Sequence, residues 1–397
     1  MRKQKKQPLV YYIGWLGRKN LGDEALYQAF CALSNSSWDI RTPQSMIEFV
    51  SLFIKAEKHR KLKNYSTIQP SKNGHGFRKK NLIRISKQIF LGIAKNTLLG
   101  KPLMISSRKA KAGFLGGGTL IYGASYLQPI QQLLQHGKPL YAFGSGVMDP
   151  EFWSSYDGFS LRHLEEWDAL LPEFRRILVR GVDSQTLLAN KGISATVVGD
   201  PALLFAREKT YKLPKKRILG INIGHCRNIL WGNNEEEVFR IVAEAATNLI
   251  KYGWKIRLFC IHNEDLESIV RLQQHLGLSI NHIIQEYENQ ERYIEHIEVC
   301  DVFLGLKLHS VVFPFCRGVP SIMVEYRPKC RDFMKTLGAE ERCLRCDQIT
   351  PQILIEHVYN AYENAVYLQE EQIYNSNIFA NKLMQEFVVI SRDLQQL

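Results

Sequence analysis

No run of apolar residues in this sequence approaches the roughly 20 that a membrane-spanning helix needs, so no helical transmembrane span is expected. Zinc-ligand spacing is missing as well. Eight cysteines are scattered along 397 residues, Cys343 and Cys346 make the lone C-x-x-C, and no second pair completes a ligand set. Reduced thiols in a cytoplasmic protein without a metal site are the expectation. Neither the Gly-x-x-x-x-Gly-Lys-Ser/Thr loop nor Gly-x-Gly-x-x-Gly occurs, which removes the two common phosphate signatures. No zinc finger, helix-turn-helix or other recognised reader is present, so no nucleic-acid partner is expected. The first residues, MRKQKKQPLVYYIGWLGRKN, have the basic head of a signal peptide but only a brief apolar part and no small-residue cleavage site. They read as the first strand of a fold.

Acidic residues are nearly missing from one stretch. Between Ser51 and Lys111 sixteen Lys or Arg face a single acid, Glu57, which puts +15 there in a chain whose net charge is +13. Arg2, Lys3, Lys5 and Lys6 add four more cations, so the remainder is slightly acidic and the basicity is local. Within the stretch, Asn81 to Gly100 carries apolar residues at helical spacing with Arg84, Lys87 and Lys95 between them. That is the pattern of a helix lying on an anionic membrane surface, and equally of a helix packed on its own domain.

What is present is 45% apolar and 23% charged, ample for two ordinary domains with cores of their own. Short apolar runs alternate with helical patterns from Leu9 to Val198 and again from Ile218 to Val324, an α/β reading with two doubly wound, Rossmann-like domains facing a cleft. The divisions expected are 1–212, with the basic insertion near 51–111, then 217–350 after a Leu213-Pro214-Lys215-Lys216 linker, and a helical tail over 351–397. Ile378, Leu383, Phe387 and Val388 are expected on one face of that tail, which is expected to cross back onto the first domain.

Chemistry gathers where the strands end, as open α/β sheets require. The run Asp301–Leu306 delivers Lys307 and His309, and Ser321–Val324 delivers Glu325, Tyr326, Arg327 and Lys329. Leu9–Trp15 leads to Asn20, Gly22 and Asp23-Glu24 at a helix start; Asp23 reads either as the helix cap or as a functional carboxylate. Ala112–Leu115 runs into Gly116-Gly117-Gly118, whose N–H groups could converge as an anion nest. Pro139–Phe143 is expected to end in a turn at Gly144-Ser145-Gly146. Arg176–Val179 presents Arg180, with Asp183 or Ser184 capping the next helix, and Thr196–Val198 leads to Gly199-Asp200-Pro201-Ala202. Trp15 and Asn20 offer stacking and polar surface suited to a sugar.

Taken together, Gly17-x-x-Asn20-x-Gly22-Asp23-Glu24, Gly116-Gly117-Gly118, Arg180 with Ser184, Gly199-Asp200-Pro201-Ala202, Leu308-His309-Ser310, Gly318-x-Pro320 and Tyr326-x-x-Lys329 resemble the polysaccharide pyruvyl transferase family, in its order, from about Leu9 to Gly338. The resemblance implies a GT-B-like architecture. It also implies transfer of the enolpyruvyl part of phosphoenolpyruvate onto two hydroxyls of a cell-surface polysaccharide or its lipid-linked precursor, forming a ketal. The sequence departs from the family at Gly181, where Asp is usual, and at Lys307, where Arg is usual; lysine keeps the charge and lacks the bidentate fork.

Under that resemblance His309 is the expected general acid and Asp23 the expected base. Arg180, Lys307, Lys329 and the nest Gly116, Gly117 and Gly118 are expected on the donor, and Trp15 and Asn20 on the acceptor. The scheme uses no metal and no cofactor beyond the donor substrate. A GT-B glycosyltransferase with a nucleotide-sugar donor is the alternative, since it places cations and glycines at the same cleft. The expected location is the cytoplasm, peripheral on the inner face of the membrane through 51–111.

Overall fold

A computed structural model describes residues 7–16, 19–35, 37–42, 108–156, 161–211, 215–286 and 289–397. Gly17, the linker residues Leu213 and Pro214, and all of the basic stretch before residue 108 lie outside the described residues, and with them the Asn81–Gly100 helical pattern.

Two parallel sheets form the frame. The first contains β1 (Leu9–Ile13), β2 (Asp39–Arg41), β3 (Ala112–Leu115), β4 (Gly118–Ile121), β5 (Leu140–Val147), β6 (Phe174–Val179) and β7 (Thr196–Val197), in the order β2-β1-β3-β5-β6-β7 with β4 also on β5. The second contains β8 (Ile218–Asn222), β9 (Lys255–Phe259), β10 (Ile283–Ile284), β11 (Val302–Gly305), β12 (Ser321–Glu325) and β13 (Cys343–Arg345), in the order β10-β9-β8-β11-β12-β13. The strands are short apolar runs because helices cover both faces of each sheet, so alternation with polar residues would strand those residues in a core. In β11 all four residues are buried, and Leu304 pairs with Ile221 on one side and Ile322 on the other.

The strand orders locate a cleft. The chain leaves β1 toward β2 and then returns to the other side of β1 at β3; it does the same around β8 with β9 and β11. Each reversal opens a crevice at the carboxyl ends of two neighbouring strands, where such sheets hold ligands. The two crevices face one another. An antiparallel bridge of Asn20 with His262, together with Leu21 N–H donating to Ile261 O at 3.0 Å and Asn263 N–H to Lys19 O at 3.2 Å, stitches the halves along one edge.

Several local expectations are corrected. Gly144-Ser145-Gly146 is not a turn but the continuation of β5, which runs to Val147 with a register shift between Phe143 and Ser145. The tail is Pro351–Glu363 followed by Ala365–Gln396. Ile378 and Val388 are 45% and 47% exposed, whereas Leu383 and Phe387 are buried, so the four do not share a face. From Ser376 onward the buried set is Ser376, Ala380, Leu383, Phe387, Ile390 and Leu394, a stripe at three- and four-residue spacing, and Ile378 and Val388 fall between its members.

That 32-residue helix spans both halves. Near its start Gln372, fully buried, accepts from Ser321 N–H at 3.1 Å and donates to Val319 O at 2.8 Å, satisfying backbone at the head of β12. Further on, Phe387 packs among Phe30, Trp38 and Phe143 of the first half, with ring centroids 4.8–5.8 Å apart. Phe387→Ala is expected to cost about 3–5 kcal/mol by chemical denaturation, the range for emptying a buried aromatic site. The exposed Val388→Ala should stay within about 0.5 kcal/mol.

Candidate functional site

Between the facing crevices lies a cleft of about 970 Å³. The first half lines it with Trp15, Asn20, Asp23, Gly118, Thr119 and Arg180, the second with His225, His262, Lys307, His309, Tyr326, Arg327 and Lys329. Trp15, Asn20, Asp23, Arg180, Lys307, His309 and Lys329, all singled out from the sequence, are thus brought to one place.

Arg180 and His309, both on the cleft lining, meet at the carboxylate of Asp200. The Arg180 guanidinium is 1% exposed and the Asp200 carboxylate 0%. Arg180 Nη1 stands 3.4 Å from Asp200 Oδ2, and Nη2 donates to Thr119 Oγ1 at 3.1 Å. His309 Nε2 lies 3.5 Å from the same Asp200 oxygen, while Asp200 Oδ1 accepts the N–H of Ala202 at 2.9 Å. Burial alone would push the Asp200 carboxyl up, but His309, Arg180 and the Ala202 N–H outweigh it and hold the group below its ordinary range. Room for the guanidinium comes from Gly146, where a Cβ would strike Arg180 Nη2.

His309 arrives from the second half at the start of helix Leu308–Cys316 and presses against the first turn of helix Leu21–Ser34. Gly22 allows this, since a Cβ there would overlap the imidazole at Nδ1. Asp23 stands beside it, partly buried. It is not the helix cap: Asn20 holds that position and its side chain accepts the Gly22 N–H at 3.1 Å. Burial raises the Asp23 carboxyl above its ordinary value, with His309 and Lys329 opposing.

The cations are held differently from one another. Lys307 is braced by the His225 carbonyl and, at 3.9 Å, by Asp265, itself fully buried under the N–H groups of Ile261 and His262. Gly224 leaves the space its stem needs. Arg327 donates to the carbonyls of Ile229 and Cys226 and so anchors a loop. Lys329 has no carboxylate within 4.0 Å among the described residues; its Nζ sits 5.1 Å above the Tyr326 ring. Burial, then Arg327, Arg180 and Lys307, push Lys329 down to about 7.

The glycine triplet divides. Gly118, at φ +103°, lines the cleft near Asp23, but Gly116 donates its N–H to Ile13 O at 2.8 Å and Gly117 bonds the Tyr12 hydroxyl. A convergent nest of three N–H groups does not form.

The sequence matches the profile of the family described as polysaccharide pyruvyl transferase over residues 44–328. The chain belongs to the polysaccharide pyruvyl transferase family. It is therefore an enzyme of that class, and the matched span holds Arg180, Asp200, Lys307 and His309. No match emerges from a search of curated protein sequences. Among solved structures it is similar in fold to a putative UDP-N-acetylglucosamine 2-epimerase from Listeria monocytogenes, at 11% identity and TM-score 0.55, covering 95% of this chain and 94% of that one. It is likewise similar to S. aureus MnaA in complex with UDP, at 12% identity and TM-score 0.55 over 98% of both chains. UDP-GlcNAc 2-epimerase from Neisseria meningitidis, bound to UDP-GlcNAc, gives 12% identity and TM-score 0.54 over 98% of this chain and 100% of that one. These likenesses establish two Rossmann-like domains in a GT-B-like arrangement.

Two features of this pyruvyl transferase were not legible beforehand. Asp200 lies in the Gly199-Asp200-Pro201-Ala202 motif, which carries no sign of its partners Arg180 and His309. Asp332 carries no sequence signal either: neither Asp183 nor Ser184 caps helix Val182–Ala189, whose cap residue is Gly181 without a side-chain bond. The first-turn N–H groups of Asp183 and Ser184 are instead taken by Asp332 of the second half, at 2.8 and 3.3 Å, and that of Val182 by Thr336 at 3.0 Å. A Cβ at Gly181 would collide with the Asp332 carboxylate, so glycine at 181 is the condition for this cross-cleft cap.

The position of Gly22 yields a test. Alanine favours a helix interior over glycine by up to about 1 kcal/mol, yet the methyl would displace the His309 ring. Gly22→Ala is expected to lower the melting temperature, because moving the ring leaves buried Asp200 short of a partner, and to lower turnover at least about tenfold, on the scale of a 1 Å misplacement of a reacting group. Circular dichroism melts and turnover on the same preparation check both halves.

Proposed function

We propose that the cleft transfers the pyruvyl group of phosphoenolpyruvate to two hydroxyls of a saccharide and releases phosphate. The observation that carries this reading is the placing of an imidazole, His309, and a carboxylate, Asp23, beside Lys329, which has no carboxylate within 4.0 Å among the described residues. Phosphoenolpyruvate brings a carboxylate and a phosphate, and Lys329, Lys307 and Arg180 supply the positive field for both. His309 gives a proton to the methylene carbon, which makes the adjacent carbon oxocarbenium-like. The first sugar hydroxyl adds there and loses its proton to Asp23, whose raised affinity for protons suits a base. Phosphate then leaves with the C–O bonding electrons, and the second hydroxyl closes the ketal. The proton held on Asp23 departs with phosphate, and that of the second hydroxyl restores His309. Trp15 and Asn20 face the acceptor side. Asn20 does so while its carbonyl oxygen caps the helix, which leaves the amide nitrogen for a ligand.

Purified enzyme given phosphoenolpyruvate and candidate glycans should release phosphate and add a pyruvyl ketal visible by mass spectrometry. Release of a nucleotide from a UDP-sugar, with no consumption of phosphoenolpyruvate, would establish the glycosyltransferase alternative instead. His309→Ala should lower turnover by about 10²–10⁴ while donor binding persists. Donor affinity should fall as pH rises through about 7, because the protonated Lys329 is the form that binds an anion and burial makes it lose its proton there. Lys329→Met should bind weakly at every pH and lose that dependence.

The cation-rich stretch 51–111 fits the same enzyme to a lipid-linked acceptor at an anionic membrane face, each Lys or Arg near such a leaflet adding about 1 kcal/mol. No helix among the described residues is long and apolar enough to cross a membrane. Co-sedimentation with anionic but not neutral liposomes, reversed by salt and by neutralising Lys58, Arg60, Lys61 and Lys63, is the expected result; equal recovery on both vesicle types would remove the membrane from this reading.

A further inference from the structure

We propose that Asp200 is the positioning residue for His309: its enclosed carboxylate takes the Nε2 hydrogen, so that the proton moved in catalysis resides on Nδ1. The inference rests on the role of His309 given above and concerns which of its two nitrogens works.

The geometry is asymmetric about the imidazole ring. Nε2 is enclosed, with no hydrogen-bond partner at full bonding distance, and the carboxylate oxygen that faces it is Asp200 Oδ2 at 3.5 Å. An enclosed nitrogen cannot touch a substrate in the cleft. Nδ1, the ring's other nitrogen, is not enclosed in this way; it borders Gly22 at the first turn of helix Leu21–Ser34, where Asp23 follows. A neutral imidazole carries one hydrogen, and the nitrogen that meets a buried carboxylate is the one that keeps it.

Asp200 is itself immobilised. Its Oδ1 caps the 3-10 turn Pro201–Phe205 through Ala202 N–H, its Oδ2 is shared with Arg180, and Gly199 at φ +85° sets the turn. Arg180 therefore also keeps Asp200 ionised, so that it remains an acceptor. The contact of 3.5 Å is long for the free enzyme, and catalytic hydrogen bonds of this kind tighten when substrate binds. Asp200 belongs to the first half and His309 to the second, so the working tautomer exists only when the halves are docked. Asp23 and Asp200 are the carboxylates that His309 acts on, and Arg180 shares Asp200 Oδ2 with it.

The test uses full-length enzyme with ¹⁵N-labelled histidine. His309 is assigned among the eleven histidines by the signal missing from His309→Gln. Long-range ¹H–¹⁵N spectra of the neutral form should show the Nε2–H tautomer in the wild type and loss of that preference in Asp200→Asn. Turnover of Asp200→Asn should fall about 10²–10⁴-fold, the range for a misdirected acid–base group. A purely structural Asp200 would leave the tautomer unmoved. If Asp200→Asn does not fold, the wild-type spectrum decides alone, since an Nδ1–H tautomer there overturns the proposal. Wild-type turnover in Asp200→Asn would overturn it too. Because the tautomer is read without donor, failure of the phosphoenolpyruvate reading would show separately, as absence of wild-type turnover with that donor.

Discussion

A fully buried carboxylate, Asp200, shared between an arginine of the first half and a histidine of the second, is the constraint around which this pyruvyl transferase is arranged. An ion enclosed without partners costs several kcal/mol, so Asp200 demands that Arg180 be present and that His309 be docked. Arg180 in turn needs Thr119 and the space beside Gly146. His309 needs Gly22 to be bare. Five glycine, hydroxyl and charged positions far apart in the chain are thereby tied to one oxygen atom.

The same logic governs the seam between the halves. Helix Val182–Ala189 starts without a cap of its own, and the orphan N–H groups of its first turn are satisfied by Asp332 and Thr336 across the cleft, with Lys335 paired to Asp183 at 2.7 Å alongside. The opposite edge is closed by the bridge between Asn20 and His262. The long terminal helix runs over both halves, bonded through Gln372 to one and packed through Phe387 in the other. Docking therefore satisfies backbone and charge at several points and leaves the cleft itself with a surplus of cations, Lys329 foremost.

That surplus distinguishes function from support within one constellation. Lys307 and Arg327 are occupied with carbonyls and, for Lys307, with Asp265, so they shape the wall and add field. Lys329 has an aromatic face beneath it and no carboxylate partner within reach among the described residues, so an arriving anion gains most there. The substitution of lysine for arginine at 307 matters less for recognition than the loss of a bidentate fork implies, because this side chain already has two protein partners.

The α/β class, the alternation of elements and the gathering of His309, Lys307, Lys329, Arg180 and Asp23 at strand ends were legible in the sequence. Buried parallel strands leave apolar runs of a length that little else produces, and charges placed just beyond them are conspicuous. Which glycines face a ligand was not legible, because Gly116 and Gly117 differ from Gly118 only in what packs against them from β1 and the neighbouring helix. The face of the terminal helix was misjudged for the same reason: residues such as Ile378 and Val388 carry no mark of exposure in themselves. The cap on helix Val182–Ala189 and the pairing of Asp200 with His309 join residues more than a hundred positions apart. Sequence determines which groups carry charge and where strands stop; only the docking of two sheets decides which of those groups meet, since that depends on distances no local pattern contains.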